Sequence, residues 1–259
     1  IVFENAFHGR TSLAVTATDT AKLIAPINQN DRFIRVKLND LEAVAKCMDT
    51  SVAAVLIEGI QGVGGIQLPD NTFLEELKLL CKQNGSLLIV DEIQSGYGRT
   101  GKFFAHQYAQ LEPDLITIAK GMGNGFPIGG ILIHPDIKPW SGMLGTTFGG
   151  NHLACAAGLA VLEVIDSEGL IDHVNSISEV LWNALRSLEN LIQIRGRGLM
   201  IGFDLKEDSK LFRASLLKDH YVFVGSAMQS NTIRLLPPLG VSKEELVFFL
   251  QAFKKVWYA

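Results

Sequence analysis

The chain has 259 residues, 47% of them hydrophobic and 19% charged, with a formal net charge of −4. That balance excludes the basic footprint of a nucleic-acid binder, and the absence of any apolar run near ~18 residues excludes a helical membrane span. The length suffices for a substantial core in two lobes, and the apolar share predicts a large subunit interface. Cys47, Cys81 and Cys155 are scattered and odd in number. They read as reduced core thiols of a cytosolic protein, not as a disulfide or metal framework.

The first residues, Ile1–Phe3, read as a strand that begins abruptly, and the N-terminus has the pattern of neither a signal nor a transit peptide. The expectation is that an N-terminal portion is missing. Val52–Ile57 predicts a buried strand. Asn71–Gln83 has helical periodicity, with Asp70 or Asn71 as N-cap and Gly85 as stop. Further strands are predicted at Ser86–Val90, Asp114–Ala119 and Gly129–Ile133. Strands alternating with helices predict an α/β fold with a mainly parallel sheet covered on both faces. Long helices follow at Leu153–Ile165 and Ile171–Leu188. The pattern then changes: Ile194–Leu205, His220–Gly225 and Asn231–Pro237 read as short strands around a helix at Ser209–Lys218, with a last helix at Lys243–Trp257. The predicted organisation is a large domain over 1–161 and a smaller C-terminal α/β domain over 162–259.

In parallel sheets ligands sit beyond the carboxyl ends of the strands. Glu58, Asp91 and Lys120 all stand at such ends. A carboxylate and an amine placed there can grip opposite sides of one flat cofactor. The histidines show no metal-ligand spacing, and the glycines of Gly121–Gly125 do not open a dinucleotide-binding βαβ unit.

Several motifs occur in a fixed order: FHGRT (7–11), EGIQGVGG (58–65), DEIQSGYGRTG (91–101), AKGMGNGFPIGG (119–130), GTTFGGN (145–151) and IRLLPPL (233–239). In these the chain, over its whole length, resembles the class III, fold type I, pyridoxal-phosphate-dependent aminotransferases, and among them most the acetylornithine aminotransferases. The resemblance implies a large sheet domain with a smaller C-terminal domain, pyridoxal 5′-phosphate as cofactor, and a homodimer with shared active sites. It implies that Lys120 forms the Schiff base and shuttles the substrate proton. Asp91 would pair with the ring nitrogen so that the ring acts as an electron sink. Gln94 would face the phenolic oxygen and Phe7 would stack on the ring. His8 and Glu58 belong to the same cofactor-binding set, His8 as part of the FHGRT turn. Thr147 would bind the cofactor phosphate of the neighbouring subunit. Arg10 and Arg234 would bind substrate carboxylates, for which a planar guanidinium is suited.

The implied reaction moves the δ-amino group of N-acetylornithine or N-succinylornithine to 2-oxoglutarate, as in arginine biosynthesis. The alternatives are another ω-aminotransferase acting on ornithine, 4-aminobutyrate or a diamine, a decarboxylase or aminomutase, and a fragment unable to hold the cofactor. The chain departs from the family pattern at Gly59, where a Pro is usual, and at Val63, where a Glu usually masks the arginine that is Arg234 here. The expectation is an Arg234 open to carboxylate throughout, so that a donor with an extra carboxylate is accepted. The glycine- and serine-bearing phosphate loop that precedes FHGRT in the family does not occur in this sequence.

Overall fold

The computed structural model describes residues 1–189 and 191–258. The elements run β1 (Val2–Phe3), α1 (Ser12–Ala17), β2 (Arg35–Val36), α2 (Leu41–Cys47), β3 (Ala54–Glu58), α3 (Asn71–Asn84), β4 (Leu87–Asp91), β5 (Leu115–Ile118) and β6 (Gly130–Ile133). They continue with α4 (His152–Ser167), α5 (Leu170–Arg186), β7 (Gln193–Arg197), β8 (Met200–Asp204), α6 (Ser209–His220), β9 (Gly225–Ser226), β10 (Thr232–Leu235) and α7 (Lys243–Trp257).

The first main sheet has the order β3-β4-β5-β6. Its first three strands are parallel, and β6 returns antiparallel to β5. The link from Ile118 to Gly130 holds only a short turn of helix at Lys120–Gly123. It lacks the crossover helix a parallel strand requires, so the chain folds back on itself. Helix α3 joins β3 to β4 and buries Phe73, Leu74, Leu77 and Cys81 on one face. It ends where Gly85 adopts φ 71° and its N–H meets the carbonyls of Cys81 and Lys82. One core cluster combines that face with Val55, Ile57, Leu88 and Val90 of the sheet and Phe3 of β1.

The C-terminal sheet, β7-β8-β10-β9, is antiparallel throughout. The run Ile194–Leu205, expected as one strand, is a hairpin: Arg197 pairs with Met200 across a turn at Gly198–Leu199. Gly198 takes φ 53° there, a conformation that favours glycine. The expected strand at His220–Gly225 is also corrected: α6 extends to His220, and only Gly225–Ser226 pair. Helix α5 presents Val174, Ile177, Leu181 and Leu185 to this sheet, and α7 adds Leu246 and Phe253. Phe253 packs on Phe203 with ring centroids 5.6 Å apart. A capping box between Ser242 and Glu245 starts α7.

The cysteine expectation holds for Cys81, which is buried, but Cys155 is exposed on α4. Among the described residues no helix is long and apolar enough to cross a membrane.

Candidate active site

The strand register builds the acidic side of the site. Glu58 and Asp91 are the last residues of β3 and β4 and stand opposite each other in the parallel pairing. Both are buried. Glu58 Oε1 accepts from the Phe7 N–H at 2.8 Å, and Oε2 accepts from the Gly62 N–H at 3.0 Å. Burial pushes the Glu58 carboxyl up to about 7, against the pull of His8 and the two N–H groups. Asp91 Oδ1 accepts from the Ile93 N–H at 3.0 Å, and Oδ2 lies 2.8 Å from His8 Nδ1. His8, read from the sequence only as part of a turn in the cofactor set, therefore holds Asp91 directly. Its other ring nitrogen, Nε2, is buried without a hydrogen-bond partner in the described structure.

Lys120 supplies the amine. It stands two residues past the end of β5 and has φ 47°, strained for a side chain with a Cβ. Burial lowers its pKa, Asp91 and Glu58 oppose that, and Arg234 adds to the lowering. Its ammonium makes no ion pair among the described residues, and Asp91 and Glu58 act on it only through their charge. Lys120 and Gln94 line one cavity of about 620 Å³. Gln94 occupies its place only because residue 62 is glycine: a Cβ there would stand 1.5 Å from Gln94 Oε1.

Arg234 enters from β10. Its Nε donates to Ser226 O at 2.6 Å, while Nη1 is buried with no partner. Burial lowers its pKa and the charge of Glu58 raises it. No carboxylate forms an ion pair with Arg234 among the described residues. Val63, half-buried on the loop after Glu58, offers only its carbonyl to this region, accepting from the Met228 N–H at 3.0 Å.

The fold thus gathers the Phe7 backbone, His8, Glu58, Asp91, Gln94, Lys120 and Arg234. It leaves Arg10 and Thr147 exposed and outside the cluster. A buried pair that sequence reasoning did not assemble lies behind Asp91: Glu92 Oε1 accepts from the His106 backbone N–H at 2.8 Å and lies 2.9 Å from His106 Nδ1. Nothing in local spacing announces that pair, because the contact joins the end of a strand to a distant turn. It also accounts for Gly59, since a Cβ there would stand 2.8 Å from Glu92 Oε1.

Residues 1–257 match the profile of the family Aminotransferase class-III. The chain belongs to the class-III aminotransferases. The acetylornithine aminotransferase of Oceanobacillus iheyensis is 38% identical over 99% of this chain and 65% of that protein. That of Nitrosomonas europaea is 41% identical over 95% of this chain and 64% of that protein. The chain therefore spans less than two thirds of the length of these curated relatives. Among solved structures, the ornithine aminotransferase from Toxoplasma gondii superposes with a TM-score of 0.88 at 29% identity, covering 99% of this chain and 63% of that one.

The cofactor of class-III aminotransferases is pyridoxal phosphate, reported at partial occupancy in the active site of that Toxoplasma enzyme. The residues of this class-III chain fit it. A buried carboxylate steadied by an imidazole and a buried guanidinium nitrogen lacking an acceptor are each costly alone, and the Lys120 side chain beside them stays open to solvent. Together they match the aldehyde, the protonated ring nitrogen and a substrate carboxylate.

Proposed function

We propose that this chain is the cofactor-bearing part of an aminotransferase that takes the δ-amino group of an N-acylated ornithine and gives it to 2-oxoglutarate. The observation that carries the reading is Lys120, a cavity-lining amine at the end of β5, within the electrostatic reach of the registered pair Glu58 and Asp91. The relatives named acetylornithine aminotransferase near 40% identity favour the acylated donor. The Toxoplasma enzyme, named for ornithine at 29% identity, supports the second reading, ornithine itself.

Bound pyridoxal phosphate supplies the electron sink for amino-group transfer. The chain's own residues do the rest. Lys120 carries the cofactor and then moves a proton at the donor carbon, a task its lowered pKa suits. Asp91, steadied by His8, would keep a positive charge on the ring nitrogen of the bound cofactor. Gln94 would hold its phenolic oxygen, and Phe7 would cover one ring face. Arg234 receives a carboxylate at its unpaired Nη1. With Val63 in place of an acid it stays open in both half-reactions, so a succinylated donor is accepted beside an acetylated one. Arg10 binds the remaining substrate carboxylate.

Thr147 completes the site of a second copy, at its cofactor phosphate. The exposed apolar side chains around it support a homodimer, with Phe148 at 81% and Leu153 at 72% exposure.

The test is product analysis with the full-length protein, pyridoxal phosphate and 2-oxoglutarate. Glutamate formed in step with the N-acyl semialdehyde supports the reading. Faster turnover of free ornithine moves the assignment to the second reading, and no glutamate from either donor refutes both. Val63→Glu is expected to narrow the donor range toward the acetylated substrate.

A further inference from the structure

The turn Arg99–Gly101 follows Gln94 on the same loop, yet its bonds run to the C-terminal sheet. Arg99 Nη1 donates to Pro237 O and, more weakly at 3.5 Å, to Leu199 O. The Arg99 carbonyl accepts from the Leu199 N–H at 3.1 Å. Asn175 of α5 donates to Gly101 O at 3.1 Å. Gly198 lies flat against the same turn, so close that a Cβ there would stand 2.5 Å from the Thr100 carbonyl carbon.

Arg99 has no acidic partner among the described residues, and burial pushes its guanidinium down to about 10. Still charged at neutral pH, it is met by backbone carbonyls alone. A desolvated charge is costly, and hydrogen bonds from a charged donor are the strong ones that offset it.

What it grips matters. Pro237 continues the run Arg234–Leu235–Leu236–Pro237, so Arg99 holds the segment that carries Arg234. A second arginine makes the reciprocal contact. Arg195 of β7, paired with both Asp204 oxygens at 2.8 and 2.9 Å, donates Nε to Gly65 O at 2.7 Å on the loop after Glu58. Arg234 is thus tied toward the Gln94 side by one arginine and toward the Glu58 side by the other.

We infer that Arg99 is a positioning residue: by holding Pro237 it fixes where Arg234 stands relative to Lys120 and Gln94, and so how tightly the site takes a carboxylate. This rests on the reading of Arg234 as the carboxylate-binding group. Arg99 lines the same cavity as Lys120 and Gln94, but its Nη1 is taken up by the carbonyls of Pro237 and Leu199, so its removal should weaken carboxylate binding through Arg234 and spare the cofactor.

The experiment is calorimetric titration of the cofactor-loaded full-length protein with glutarate, a dicarboxylate that cannot react. Arg99→Met is expected to raise the glutarate Kd about tenfold, the size of about 1.4 kcal/mol of lost binding. Its pyridoxal phosphate affinity should stay at the wild-type value. Arg99→Lys, which keeps one charged donor, should recover part of the loss. On an Arg234→Gln background, Arg99→Met should add nothing, because its effect passes through Arg234. Unchanged glutarate affinity in Arg99→Met overturns the inference and leaves the role of Arg234 standing. Parallel losses of cofactor affinity and melting temperature, without rescue by lysine, also overturn it, in favour of a general scaffolding role. A wild-type protein that binds no glutarate refutes the reading of Arg234 and this inference with it.

Discussion

The two sheets solve different problems with the same materials. The C-terminal sheet buries Phe203, Ile233 and Leu235 against α5 and α7 and pairs its half-buried arginine, Arg195, with Asp204. The carboxyl ends of β3 to β5 instead bury Glu58 and Asp91 side by side and leave the Lys120 amine without a partner. One region is arranged for stability. The other holds groups that cost stability and are useful only when something binds between them. Arg234 is where the two meet, the proposed carboxylate-binding side chain carried on the stabilising sheet.

The contrast predicts separable failures. Lys120→Ala should lower transamination by at least about 10³-fold, since the proposed function makes Lys120 both the attachment point and the proton carrier. Its melting temperature should stay near the wild-type value, because the Lys120 side chain is exposed and makes no hydrogen bond or ion pair among the described residues. Substantial residual turnover, or a lower melting temperature, breaks the comparison.

In the opposite region, Phe203→Ala should destabilise the chain by about 3–5 kcal/mol, as expected for an emptied aromatic core position. Phe203 is fully buried and touches Phe253 and Trp257. Denaturant melts check this. The remaining folded fraction should keep its cofactor affinity, and a selective loss of that affinity at unchanged stability contradicts the division of labour.

Gly62→Ala tests the border of the site. The added methyl displaces Gln94, so cofactor affinity should fall about tenfold, worth about 1.4 kcal/mol, read by absorbance titration. Unchanged affinity removes Gln94 from the cofactor set.

The smallest effect is a slope. The Glu58 carboxyl stands at about 7 in the folded chain against an ordinary 4.5. The folded state therefore holds more protons than the unfolded one between those values. The stabilising contribution is fully present below about 4.5 and is lost as pH rises through about 7. Glu58→Gln should flatten the fall in melting temperature across that window. An unaltered slope assigns the pH dependence elsewhere.

Much of the first region was legible in the sequence. Apolar runs ending in Glu58 and Asp91 became the strands β3 and β4, and Gly85 stops α3 as its position suggested. Continuous apolar runs look alike in parallel and antiparallel strands, so the reversal at β6 was not visible. The hairpin inside Ile194–Leu205 was hidden because its two-residue turn is flanked by strand-forming residues on both sides. The ends of His8, Glu92 and Arg99 lay beyond sequence reasoning. Each reaches a partner far away in the chain, Asp91, His106 and Pro237, and only the packed sheets bring those atoms together. Val63 in place of an acid suggested an Arg234 without a masking carboxylate, and none pairs with it among the described residues; that it takes a substrate carboxylate is proposed.

The measurement that bears most directly on the central claim is an absorbance titration of the wild-type protein and Lys120→Ala with pyridoxal phosphate, before and after addition of N-acetylornithine. The account predicts a visible band in the wild type that bleaches on adding the donor, and no such band in Lys120→Ala. The same band in both proteins, or in neither, contradicts it.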